Sequence, residues 1–151
     1  LPDNCPQIKP ERFEKVETAR IEFEKTGNTN NLATKDWSSH EWLQFLRKLS
    51  RPLERSKMEQ LDKAYALTNS KNSEISAEWF KLSIVSDYQP AYANMEKFLG
   101  AVGRKKFLEP IYKEILKSKD GVKFANRIFE QSKHNYHPLT ALKIQKILRP
   151  K

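Results

Sequence analysis

The chain has a single cysteine, Cys5, so no disulfide can close within it and no thiolate-based structural zinc site can be assembled. Glycine is scarce, at 4 in 151 residues, and β-branched runs are few, which argues against a protein built from sheets. There is no long apolar run, so the sequence offers no membrane-spanning helix, and no secretory leader is visible. P-loop, nucleophile-elbow and dinucleotide-binding signatures are missing too. The serines have no convincing histidine and acid partners. What remains is 38% hydrophobic and 31% charged, a balance that suits amphipathic helices each burying one stripe. At 151 residues the chain is one domain, with room for a real core.

Charge is unevenly placed. Residues 1–100 carry 15 Lys/Arg against 15 Asp/Glu, whereas residues 101–151 carry 13 against 4, so the net charge of +9 resides in the last third. A basic field at one end attracts anions: nucleic acid, acidic lipid or a carboxylate-bearing ligand. The plain alternative is a solvated lysine-rich surface.

The first ten residues hold three prolines and read as a linker (1–10) arriving from an upstream domain; residues 11–151 read as the helical domain itself. The chain begins at Leu1 rather than Met, and is expected to be a piece of a longer polypeptide. Phe13, Val16, Ala19 and Phe23 give a first helix, ended by Gly27 and the polar run to Asn31. Ser38 and Glu41 spell a capping box, and Trp37 and Trp42 a hydrophobic staple, before the stripe Trp42, Phe45, Leu46, Leu49. Pro52 breaks the pattern. Glu54 to Leu67 reads as a third helix with Met58, Leu61 and Tyr65 inward. Ser73 is the expected cap of a fourth, with Ile75, Trp79, Leu82 and Val85 inward. Asp87 is the expected cap of a fifth, with Pro90 in its first turn. After Gly100 and Gly103 comes a wide apolar face of Phe107, Leu108, Ile111, Tyr112, Ile115 and Leu116, where Pro110 is tolerable in the first turn. Asp120 to Gln131 is a seventh helix, with Val122, Ala125 and Ile128 inward, and Pro138 opens the last, ending near Leu148. Short helices joined by short turns pair antiparallel and stack in two layers, so the expected fold is an all-α, two-layer α-α superhelix of about eight helices. No fixed sequence period is present, which disfavours a regular tetratricopeptide array.

Metal chemistry finds little support. His40-Glu41 opens an H-E-x-x-H pattern, but the fifth position is Gln44, so the second imidazole is missing. Glu41 is better explained by the capping box. His134 and His137 are spaced i, i+3, yet Pro138 follows, and a helix-end or capping role suits them better than metal binding. No catalytic or metal-ligating residue is expected in this chain. The cluster Arg104-Lys105-Lys106 opens the wide-faced helix. Cations at a helix N-terminus oppose the macrodipole, and an anion bridging two of them resolves that conflict. The plain alternative is three ordinary surface cations.

The run Gly103-Arg104-Lys105-Lys106-Phe107, followed by Pro110, Ile111, Tyr112 and Lys113, resembles the C-terminal domain of leukotriene A4 hydrolase and its bacterial aminopeptidase relatives. Asn72 to Ile75, Trp79 to Ser86, and His137-Pro138-Leu139-Thr140-Ala141 agree in order and spacing. The opening residues 1–10 look like the linker entering that domain. The resemblance implies an armadillo- or HEAT-type right-handed helical coil. That coil would pack on a thermolysin-like zinc domain of the same polypeptide and close its substrate cleft. Zinc and its ligands would lie in that other domain. The parent would be a zinc aminopeptidase, with epoxide hydrolysis left open, and this fragment alone would be inactive. The family uses an arginine and a lysine two residues apart to hold the substrate's carboxylate; here these are Arg104 and Lys106, with a short peptide as substrate and Lys105 facing solvent. Neither nucleic acid nor membrane is an expected partner, and of the compartments the cytoplasm is favoured over export. The rival reading is a basic helical-repeat module that binds RNA or a protein partner through residues 101–151.

Overall fold

A computed structural model describes residues 10–29, 32, 34–101, 105–118 and 120–148. Among them are eight α-helices and no strand: α1 (Pro10–Thr26), α2 (Ser39–Lys48), α3 (Arg55–Tyr65), α4 (Ser73–Val85), α5 (Tyr92–Ala101), α6 (Lys105–Lys117), α7 (Gly121–Ser132) and α8 (Pro138–Leu148). The even-numbered helices stack in one row, α2 on α4, α4 on α6 and α6 on α8. In the second row α5 lies against α7, and α7 also packs on α6 and α8. This is the expected two-layer all-helical arrangement, and it makes α4 and α6 the centre of the molecule.

Local signals explain most boundaries. Ser38 Oγ accepts from the Glu41 amide at 3.5 Å while Glu41 Oε1 accepts from the Ser38 amide at 3.3 Å, closing the capping box. The Trp37 and Trp42 rings meet edge to face at 5.0 Å between centroids, completing the staple. α4 is buried over most of its circumference, including Trp79, Phe80 and Leu82, because it has neighbours in both rows. Trp79 is fully buried, and its Nε1 donates to Thr68 Oγ1 at 3.0 Å. Asp62 accepts from the Thr68 amide (2.9 Å), the Thr68 hydroxyl (2.7 Å) and the Tyr88 hydroxyl (2.9 Å), tying the end of α3 to the turn after α4. A second buried link joins Tyr112 of α6 to Tyr136, their hydroxyls 2.9 Å apart, with Tyr136 donating to the Leu99 carbonyl of α5 at 2.6 Å.

Several expectations are corrected. Asn72, not Ser73, caps α4: its Oδ1 accepts from the Glu74 and Ile75 amides at 2.9 and 3.2 Å. Asp87 is no cap; it sits at φ 52° in the left-handed region, and the chain passes through a 3-10 turn at Gln89–Ala91 before α5. Its carboxylate accepts instead from the Tyr92 hydroxyl at 3.2 Å. α3 stops at Tyr65, where Ala66 turns left-handed and returns its amide to the Asp62 carbonyl. α6 begins at Lys105, so Pro110 lies in its second turn and leaves the Lys106 carbonyl without an amide from that position. Val122 is 50% exposed rather than inward. Gly121 takes the inward place, because a β-carbon there would lie 1.6 Å from the Ile115 carbonyl oxygen; the buried row runs Gly121, Ala125, Ile128, Ser132. Pro10, read as linker, is the first residue of α1. Residues 1–9 lie outside the described residues.

Candidate functional site: a cationic cleft between α2, α4 and α6

Asn72 sets the start of α4, and helical spacing then puts Glu74, Glu78 and Lys81 along one side of it. Arg47 reaches the same side from the last turn of α2, and Lys106, Phe107 and Pro110 from the first turns of α6. Together they line a cleft of about 240 Å³. At its floor is Glu78, whose side chain is only 8% exposed. A carboxylate so withdrawn from water needs charged partners, and it has two: its Oε1 accepts from Arg47 Nε at 3.0 Å and from Lys81 Nζ at 3.0 Å. At the rim Lys106 Nζ stands 3.4 Å from Glu74 Oε1 and 5.3 Å from the centroid of the Phe107 ring. That pair is open to water, with side chains 65% and 46% exposed, so the contact is worth about 0–1 kcal/mol and a competing carboxylate can displace Glu74. Three cations face two carboxylates in this cleft, and one of those carboxylates is shared.

Lys106 thus lies at the rim of this cleft, paired with Glu74. Arg104 lies outside the described residues, as does the Lys105 side chain. Arg47, Glu78 and Lys81 did not emerge from the sequence reading. A signal was there: Glu78 falls in helical register with Ile75 and Leu82, a charge on an otherwise buried stripe.

The histidines do not converge. His40 is exposed, and Gln44 uses its Nε2 to donate to the Phe13 carbonyl at 3.4 Å, pinning α1 to α2. His137 caps α8: its Nδ1 accepts from the Leu139 amide at 3.2 Å. His134 is exposed in the 3-10 turn Lys133–Asn135. Among the described residues no three His, Cys, Asp or Glu side chains group as a metal would require. The basic end of the chain is partly neutralised in place: Lys113 pairs with Glu109, Lys117 with Glu114, Arg127 with Glu96 and Lys133 with Glu130, at 3.1, 3.2, 2.6 and 2.8 Å. No helix among the described residues is long and apolar enough to cross a membrane.

Two rows of antiparallel helices with a charged cleft across one row define an α-α superhelical module. The chain belongs to the leukotriene A4 hydrolase C-terminal domain family, whose model matches residues 37–148. It is 30% identical over 116 residues to a leucine aminopeptidase 2 of Sclerotinia sclerotiorum, covering 75% of this chain and 19% of that protein. It is 29% identical over 116 residues to a leukotriene A-4 hydrolase homolog of Botryotinia fuckeliana, covering 75% and 18%. The chain thus spans about a fifth of the length of the curated relatives it matches. Yeast leukotriene A4 hydrolase in complex with bestatin superposes with a TM-score of 0.79 at 21% identity, over 96% of this chain and 27% of that one. The native yeast enzyme gives 0.75 at 21%, over 96% and 28%. At that identity the superpositions speak to the fold.

Proposed function

We propose that this domain is the C-terminal module of a zinc aminopeptidase, that it packs on the catalytic domain of the same polypeptide, and that Lys106, with Arg104, holds the C-terminal carboxylate of a short peptide substrate. The observation that carries the reading is Lys106 itself: an ammonium at the mouth of α6, held among the described residues by an exposed carboxylate at 3.4 Å and the Phe107 ring at 5.3 Å, in a family whose named relatives include leucine aminopeptidases. An incoming α-carboxylate replaces Glu74 as its partner at little cost, since the exposed pair is weak. The zinc of the catalytic domain supplies the polarised carbonyl and activated water when bound. This chain's part is positional. Holding the far end of a peptide sets its register and converts binding energy into orientation.

The test uses the complete polypeptide and matched tripeptides with a free or an amidated C-terminus. Lys106→Ala and Arg104→Ala are expected to lower kcat/KM on the free acid about tenfold relative to the amide, the worth of one charge-assisted hydrogen bond. An acid-to-amide ratio equal to that of the parent enzyme in both variants refutes the clamp.

A further inference from the structure

Arg47 is held in the same cleft but only half used. Its Nε donates to Glu78 at 3.0 Å, while its two Nη groups have no partner among the described residues and the side chain is 59% exposed. Arg55 likewise donates only through Nε, to Glu59 at 3.1 Å, but that carboxylate is 56% exposed, whereas two other arginines engage their terminal nitrogens. Arg127 places both terminal nitrogens on Glu96, at 3.2 and 2.6 Å, and Arg20 uses Nε and both Nη groups on Glu17 and Glu24. The anchor also differs: Glu78 is nearly buried and is braced from its other side by Lys81, which is 24% exposed. The guanidinium is thus fixed at one edge, and its two-donor edge is free among the described residues, in a cleft whose other side carries Lys106. A guanidinium edge of this kind matches a carboxylate in a planar, two-bond contact that an ammonium cannot make. The space is ample for it, since about 240 Å³ far exceeds the roughly 30 Å³ taken by one water.

From this geometry we infer that Arg47 is a specificity-determining residue. While Lys106 takes the α-carboxylate, Arg47 receives an acidic side chain on the substrate's last residue, so the preferred peptides end in Glu or Asp. The inference rests on the proposed reading of Lys106 and adds a second anion contact to it. Glu78 is a positioning residue that acts through Arg47.

The experiment compares two tripeptides on the complete polypeptide, Ala-Ala-Glu and Ala-Ala-Gln, which differ in charge and hardly in shape. The parent enzyme is expected to prefer the Glu peptide about tenfold in kcat/KM, chiefly through KM, and R47Q to bring that ratio close to one. A ratio of two substrates on one preparation does not depend on the fraction folded. If R47Q cannot be obtained folded, R47K keeps the charge, loses the planar fork and is expected to lower the ratio about threefold. A parent ratio near one, or a ratio unchanged by substitution of Arg47, overturns the assignment. The acid-to-amide comparison with K106A is read separately. If that ratio does not move, the reading of Lys106 falls; if it moves while the Glu-to-Gln ratio does not respond to Arg47, only the inference drawn here falls.

Discussion

Asp62 and Glu78 are both carboxylates set among several donors, and they are built for opposite ends. Around Asp62 the donors are neutral, buried and fully engaged: the Thr68 amide and hydroxyl and the Tyr88 hydroxyl point at it, and Trp79 completes the circuit through Thr68. Thr68, Tyr88 and Trp79 are 9%, 4% and 0% exposed. Around Glu78 the donors are cations that reach water, and Arg47 keeps two nitrogens in reserve among the described residues. A closed network of buried neutral donors fixes one packing of α3, α4 and the turn after α4. An open network of long cations leaves capacity for a ligand. The comparison separates residues that hold the fold from residues that can serve a substrate.

The sharpest way to break it is at Asp62. Asp62→Ala leaves three donors, all of them on buried residues, without their acceptor and is expected to cost about 3 kcal/mol, read as a lower urea midpoint at unchanged slope. Equal loss from Glu78→Gln would erase the distinction. That change is expected to cost about 1 kcal/mol or less, because the amide oxygen still accepts and both cations can turn to water. Between these lies a pH effect to which the closed side contributes through Tyr88. Burial, then the Asp62 carboxylate, push the Tyr88 hydroxyl up to about 12, and burial and the Tyr136 contact raise Tyr112 as well. In the unfolded chain these phenols ionise near pH 10. Above that pH the unfolded state binds fewer protons than the folded one, so stability falls as pH rises from about 10 toward 12, whereas below pH 10 these groups contribute no slope. Thermal unfolding followed from pH 8 to 11.5 checks this, and Tyr88→Phe is expected to flatten part of the fall. The smallest effect is at the rim: Lys106→Ala is expected to shift stability by less than about 0.5 kcal/mol, so its loss of activity on free-acid peptides would report binding and not folding.

Much of the helical pattern was legible beforehand, since it depends on spacing and caps that act within a few residues. The Ser38–Glu41 box and the Trp37–Trp42 staple formed as read. Asn72 displaced Ser73 as a cap because its side chain could reach two amides, while Asp87 was drawn into a left-handed turn that places Tyr88 on Asp62. Val122 yielded to Gly121 because only a residue without a β-carbon can sit against the Ile115 carbonyl. At Asp87 and at Gly121 a neighbour distant in sequence, or a backbone approach, overruled the local preference, whereas the Asn72 cap is itself local.

The candidate site divides in the same way. Lys106 was singled out from its place at a helix start and from a family resemblance, and the family itself is shown by the match over residues 37–148. Arg47 and Glu78 are 31 residues apart, and nothing in their spacing announces the bond between them. By itself the sequence determined the helices, their apolar stripes and the basic character of the last third, because periodicity, capping and charge are local properties. Only the tertiary structure decided which cations meet which carboxylates and which donors stay free. That choice depends on how α2, α4 and α6 stack, and stacking is set by the shapes of buried faces, which no single segment carries.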